Sequence, residues 1–228
     1  MTGNTKRQIR VFFFGDSICF GQGVSIHKGW VTRISAYLSE LSKSIGCDVL
    51  LTNASINGNT TRQALERMPY DIQSQNPDIM IVQFGMNDCN YWQTDKGNPR
   101  VSPRAFEANL EEIIIRAFTF GVQKILLNTN HPTGRDQTVM PYATITYQQS
   151  NERYNQIIRN VASGFGERVV LNDIAAACLK YTQNDRSVLL RLLLPEPDLL
   201  HLSEAGHDLY LDLICPKVKQ AVFELAEV

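Results

Sequence analysis

Two stretches far apart in the chain carry residue types that suit nucleophilic catalysis. "VFFFGDSICFGQG", from Val11 to Gly23, runs an apolar segment into Gly15 and then presents Asp16 and Ser17. A serine hydroxyl attacks a carbonyl only when a base stands within hydrogen-bond reach and an acid orients that base. The chain offers four histidines: His27, His131, His201 and His207. In "EPDLLHLSEAGHDLY", Asp198 precedes His201 by three positions, so one turn can stack carboxylate beside imidazole. Asp198 would accept from one ring nitrogen and leave the other to take the Ser17 proton. The same residues also fit a plain Gly-Asp-Ser turn and a polar loop ahead of a helix with Ser203 as its N-cap.

The elements that would position these groups alternate along the chain. "IRVFFFG", "CDVLLTNAS", "DIMIVQFG", "KILLNTN" and "RVVLND" read as strands. Helical spacing recurs in "WVTRISAYLSELSKSIG", with Gly46 as a stop, and in "TTRQALERMPYDIQSQ", where Pro69 marks a break or a new first turn. "SPRAFEANLEEIIIRAFTFG" and "YQQSNERYNQIIRNVASGFG" are two more helices, followed by one from about Ile174 and one from about Ala205 to Ala226. Continuous apolar strands alternating with helices predict a parallel sheet covered on both faces. Ligands bind such sheets outside the carboxyl ends of the strands. There the chain places Ser17, Asn53 to Ser55, Gly85 to Asp88 and Asn128 to His131.

Several other chemistries find no support. Gly15, Gly21 and Gly23 form neither a dinucleotide fingerprint nor a P-loop, and the nucleophile-elbow pattern GxSxG is missing. The five cysteines, Cys19, Cys47, Cys89, Cys178 and Cys215, form no CxxC pair, which argues against structural zinc and fits a reducing compartment. A formal net charge of -1 gives no electrostatic case for nucleic acid or an anionic membrane. With 43% hydrophobic residues the chain can fill a core, yet no stretch is apolar enough to span a bilayer. The polar start "MTGNTKRQIR" lacks the apolar core of a signal peptide, so a cytoplasmic location is expected. One domain over residues 1–228, with a core of about 9–226, is the simplest division.

In four ordered blocks the chain resembles the SGNH hydrolases, also called the GDSL lipase/esterase family. The blocks are "FGDSI", "NASINGNTT", "FGMNDCN" and "DLLHLSEAGH". The resemblance implies Ser17 as nucleophile and Asp198 and His201 as the rest of a triad. It implies an oxyanion hole built from the backbone N–H of Ser17, that of Gly58 and the Asn87 side-chain amide. It also implies a flavodoxin-like five-stranded parallel sheet in a three-layer α/β/α sandwich, and ester hydrolysis without metal or organic cofactor. The one departure is Ile18, where the family's name motif has leucine.

Asp16 and Asp88 are expected to fix turns beside the site, and His27 and His207 to lie at the surface or at helix entries. Tyr91, Trp92, Arg135 and Tyr142 lie on segments following the third and fourth strands and are candidate substrate contacts. His131 fits substrate contact and a local hydrogen bond equally. Cys19 and Cys89, each two positions past a site residue, read as packing residues. The rim loops are polar with isolated aromatics, and "VLLRLLLP" reads as helix and core. A small ester with an acetyl or other short acyl group, on a carbohydrate or similar polar alcohol, is the expected substrate. Acyl transfer, longer acyl chains and a non-catalytic glycan-binding module are the alternatives.

Overall fold

The computed structural model describes residues 7–226. The reading of the polar N-terminus therefore falls mainly on residues 1–6, outside the described residues. Strand β1 (Gln8–Gly15) is buried on both faces from Val11 onward, as a central parallel strand must be. Its successive side chains go to opposite layers. The Phe13 ring meets Trp30 edge-on at 5.2 Å, whereas the Arg67 guanidinium lies 4.5 Å from the centre of the Phe14 ring. Strands β2 (Asp48–Asn53), β3 (Ile79–Gln83), β4 (Lys124–Asn128) and β5 (Val169–Asn172) complete one sheet. All pairs are parallel and the order is β2-β1-β3-β4-β5, the expected flavodoxin-like arrangement.

The helices are α1 (Ser17–Phe20), α2 (Trp30–Ile45), α3 (Thr61–Asp71), α4 (Pro103–Thr119), α5 (Tyr147–Gly164), α6 (Ile174–Thr182), α7 (Arg186–Arg191) and α8 (Glu204–Ala226). Helices α2 and α8 pack together on one face of the sheet, and α3, α4 and α5 lie side by side on the other. Among the described residues, no helix is long and apolar enough to cross a membrane.

Three local expectations change. Pro69 does not break α3, which continues to Asp71 before a short 3-10 turn at Gln73–Gln75. In the last helical turn a proline removes only one backbone hydrogen bond, and tertiary packing absorbs that loss. The single turn α1 was unmarked, because four residues are too few for a periodic signal. His207 enters α8 as expected but is buried, with Nδ1 accepting the Trp30 amide at 3.3 Å. Burial, with Arg33 nearby, pushes its imidazole down to about 4.

The chain leaves β1 for β2 on one side and later returns to place β3 on the other. The strand order reverses between β1 and β3, which is where open α/β sheets form a crevice at the carboxyl ends. Ser17 follows β1 and Asn87 follows β3, so both candidates sit at that crevice.

Candidate active site

The site begins with a glycine that nothing else can replace. A Cβ on Gly15 would fall 2.8 Å from the Gln83 carbonyl oxygen and equally close to the Cys19 Cβ. That tight passage lets β1 turn at once into α1. Asp16 caps the new helix, its Oδ1 accepting the Ile18 amide at 3.0 Å, and its Oδ2 accepts from Asn87 Nδ2 at 3.3 Å. Burial pushes the Asp16 carboxyl up to about 7, with Asp88 adding to the rise and both amides opposing it. Asp16 thus fixes the turn, as expected, and does not face an imidazole.

Ser17, the first residue of α1, directs its Oγ to His201 Nε2 at 2.9 Å. His201 Nδ1 stands 2.8 Å from Asp198 Oδ2. The carboxylate can only accept, so Nδ1 carries the proton and Nε2 is left to accept from the Ser17 hydroxyl. The acid and base are brought together by a loop rather than by a helical turn. Asp198 Oδ1 accepts the Leu200 and His201 amides at 2.9 and 2.7 Å, folding the chain back on itself. Burial works against the Asp198 charge, but the His201 amide and ring and the Leu200 amide outweigh it and hold the carboxyl below its usual range.

Gly58 lies across the crevice with φ +76°, in the left-handed region that a residue without Cβ occupies freely. Arg100 Nη1 bridges to it, donating to the Gly58 carbonyl at 3.2 Å and to Asn87 Oδ1 at 3.3 Å. Asp88, next to Asn87, is buried and takes the Thr61 amide and hydroxyl at 2.9 and 2.6 Å, which ties the start of α3 to the segment after β3. Burial pushes its carboxyl up to about 6 against those bonds. The five residues named for the triad and oxyanion hole therefore converge on one crevice.

A family model described as the GDSL-like Lipase/Acylhydrolase family matches residues 13–209. The chain belongs to that family. The resemblance carried by the four blocks is thereby borne out. An arylesterase of Vibrio mimicus is 27% identical over 123 residues, covering 54% of this chain and 56% of that protein. The chain thus matches about half the length of that relative. An acetylxylan esterase of Geobacillus stearothermophilus is 24% identical over 212 residues, 87% of this chain and 88% of that one. Among solved structures, an acetyl xylan esterase superposes with a TM-score of 0.72 at 24% identity, covering 92% of this chain and 100% of its own. At that identity the likeness bears on the fold.

Within this GDSL-family site the segment after β4 has a role that the sequence reading missed. Three successive carbonyls, those of Asp198, Leu199 and Leu200, are held from it. His131 Nε2 donates to Leu200 O at 2.9 Å, the Gly134 amide to Leu199 O at 2.8 Å, and Arg135 Nε to Asp198 O at 2.6 Å. His131 is fully buried, and its Nδ1 takes the Tyr210 hydroxyl at 2.6 Å. Of its two readings, the local hydrogen bond is the one seen in the structure, where it supports the loop. Burial pushes its imidazole down to about 4, so it stays neutral and keeps this pairing. Arg135 shares the task. Tyr91 is also mostly buried, in the main core, whereas Trp92 and Tyr142 remain 50% and 64% exposed on the rim.

Arg67 is another missed residue, since nothing in its helical context marks it. Its guanidinium donates to Asn59 Oδ1, Ala54 O and Gly15 O at 2.7, 2.6 and 3.1 Å, bracing the ends of β1 and β2 together. Cys19 and Cys89 are buried, and burial raises both thiols, the setting of an inert packing cysteine. Among the described residues, no three His, Cys, Asp or Glu side chains gather as metal ligands would.

Proposed function

We propose that this chain is a serine esterase that hydrolyses short-chain carboxylic esters through an acyl-enzyme. The observation that carries this reading is the relay from Ser17 Oγ through His201 to Asp198, at 2.9 and 2.8 Å. His201 takes the Ser17 proton as Oγ attacks the ester carbonyl. The tetrahedral oxyanion is met by the backbone N–H groups of Ser17 and Gly58 and by Asn87 Nδ2. His201 then returns its proton to the departing alcohol. Water gives a proton to the same Nε2 as it attacks the acyl carbonyl, and Nε2 then returns that proton to Ser17 Oγ as the acid leaves. The small-ester role is supported by the relatives, which are named as an arylesterase and an acetylxylan esterase. Free thiols throughout support a reducing, cytoplasmic setting.

Each oxyanion donor typically contributes ~3 kcal/mol in the transition state. Asn87→Ala is therefore expected to lower kcat by about 10²–10³ and to change KM far less, because the amide meets a charge that the ground state lacks. Steady-state kinetics on p-nitrophenyl acetate check this. A change confined to KM would move Asn87 into ground-state binding.

The acyl side should be short. A long chain needs a continuous apolar wall, gaining ~0.8 kcal/mol per buried CH₂. The leucines of "VLLRLLLP" pack largely against the protein itself, and Leu189, Leu190 and Leu194 are half-buried. Leu192 and Leu193 are buried, and a Cβ on Gly134 would meet Leu190 Cδ2 at 2.8 Å. Leu194 packs so closely on Gly23 that a Cβ there would sit 2.3 Å from its Cδ1. Trp92 and Tyr142 offer isolated exposed rings, which suit a sugar or similar polar alcohol on the other side of the ester. The kcat/KM should fall from p-nitrophenyl acetate through butyrate and octanoate to palmitate. A steady climb toward palmitate would overturn the short-chain reading.

A further inference from the structure

Asn87 can meet an oxyanion only with its NH₂ end. Its Oδ1 facing the same point would repel the charge. The two ends of the amide are nearly the same size, so shape cannot decide which one faces the crevice. Partners must decide. On one side Asp16 Oδ2, an acceptor when ionised, takes Nδ2 at 3.3 Å. On the other side Arg100 Nη1, which can only donate, takes Oδ1 at 3.3 Å. Burial pushes the Asp16 carboxyl up to about 7, so near neutral pH a share of it is protonated and can donate instead of accept. The guanidinium never changes role.

The same Nη1 donates to the Gly58 carbonyl at 3.2 Å. Gly58 has φ +76° and no side chain, and the peptide carrying its carbonyl is held by this contact together with the Asn59 amide, which donates to Ile56 O at 3.2 Å. Arg100 is itself fixed. Its amide donates to Asn90 O at 2.9 Å, the following Val101 amide donates to Asp88 O at 3.2 Å, and the Trp92 ring covers its guanidinium at 4.0 Å. One cation thus contacts both Gly58 and Asn87, the two residues proposed as oxyanion donors that are not part of α1.

We infer that Arg100 is a positioning residue for the oxyanion hole, fixing which end of the Asn87 amide faces the substrate and holding the Gly58 carbonyl, one peptide on from the Gly58 N–H. Preorganised donors are effective because they need no reorientation as charge develops. Losing Arg100 leaves the donors present but unfixed, so the cost falls on kcat. This inference rests on the esterase reading above.

The test is steady-state hydrolysis of p-nitrophenyl acetate by wild type, Ser17→Ala, Asn87→Ala, Arg100→Met, Arg100→Lys and the Asn87→Ala/Arg100→Met pair. Arg100→Met should lower kcat by about 10–10² with KM within about three-fold. Arg100→Lys, which keeps the charge but not the planar fork, should recover part of that loss. In the Asn87→Ala background the Arg100→Met loss should shrink several-fold, because residues acting as one unit are not additive. If Arg100→Met does not fold, Arg100→Gln gives the same comparison. An unchanged kcat, a loss confined to KM, or an undiminished loss beside Asn87→Ala would overturn the inference. An inert wild type, or a Ser17→Ala that keeps the rate, would instead overturn the esterase reading.

Discussion

Ser17→Ala should reduce kcat by about 10⁵–10⁶ and abolish labelling by a fluorophosphonate, while the fold persists. The substitution removes one oxygen and little else. The backbone of Ser17 keeps its structural work, since its carbonyl accepts the Gly21 and Gln22 amides at 3.0 and 3.1 Å. The cap from Asp16 to the Ile18 amide is untouched, so α1 should still form. The oxyanion donors also stay, because the contribution of Ser17 to them is its backbone N–H. What disappears is the covalent route, leaving only the modest acceleration that binding and donors supply to water. Thermal melting should move by no more than a few degrees, since the side chain lost is small and borders the crevice. Esterase activity surviving in this variant at more than a trace would remove Ser17 from the mechanism.

How much of this was legible in the residues depends on range. The strands announced themselves because both faces are buried. "VFFF" and "IMIV" are continuous apolar runs, and the sheet order followed from the family they resemble. The residues proposed for the triad and its donors could be named because each lies in a short local block. Long-range supports were not. The hydrogen bonds from His131 to Leu200 and from Arg135 to Asp198 join positions more than sixty residues apart. A histidine and an arginine on a rim loop look the same whether they face substrate or neighbouring backbone. Arg100 was hidden likewise, in a loop whose sequence "GNPRVSPR" signals only a turn and a helix entry. Pro69 misled because the rule against proline inside helices weakens in the last turn.

Asp198→Asn should lower kcat by about 10⁴, through the tautomer of His201 rather than through loss of contact. The asparagine oxygen can still accept the Leu200 and His201 amides that Asp198 Oδ1 accepts at 2.9 and 2.7 Å, so the loop should keep its turn. Its carbonyl is also still held by Arg135 Nε at 2.6 Å. The end facing His201 Nδ1, however, becomes an NH₂ that donates. Nδ1 must then accept, the ring proton moves to Nε2, and Nε2–H faces Ser17 Oγ in the wrong tautomer to act as base. The wild-type carboxyl is safe from this because the His201 and Leu200 amides and the His201 ring hold it below the usual range despite burial. The sign is that of a depressed acid: its contribution is present above the ordinary carboxylate range and fades only as pH falls through the lowered value. Wild type should therefore keep an ionised Asp198 throughout the pH range used for ester assays. Asp16 supplies the contrast. Its carboxyl is raised to about 7 by burial and bonds the Ile18 and Asn87 amides, so Asp16→Asn should cost less than Asp198→Asn. Measuring kcat for both variants on p-nitrophenyl acetate, with circular dichroism to confirm folding, decides the matter. If Asp16→Asn proves the more damaging of the two, the acid that orients His201 has been misassigned.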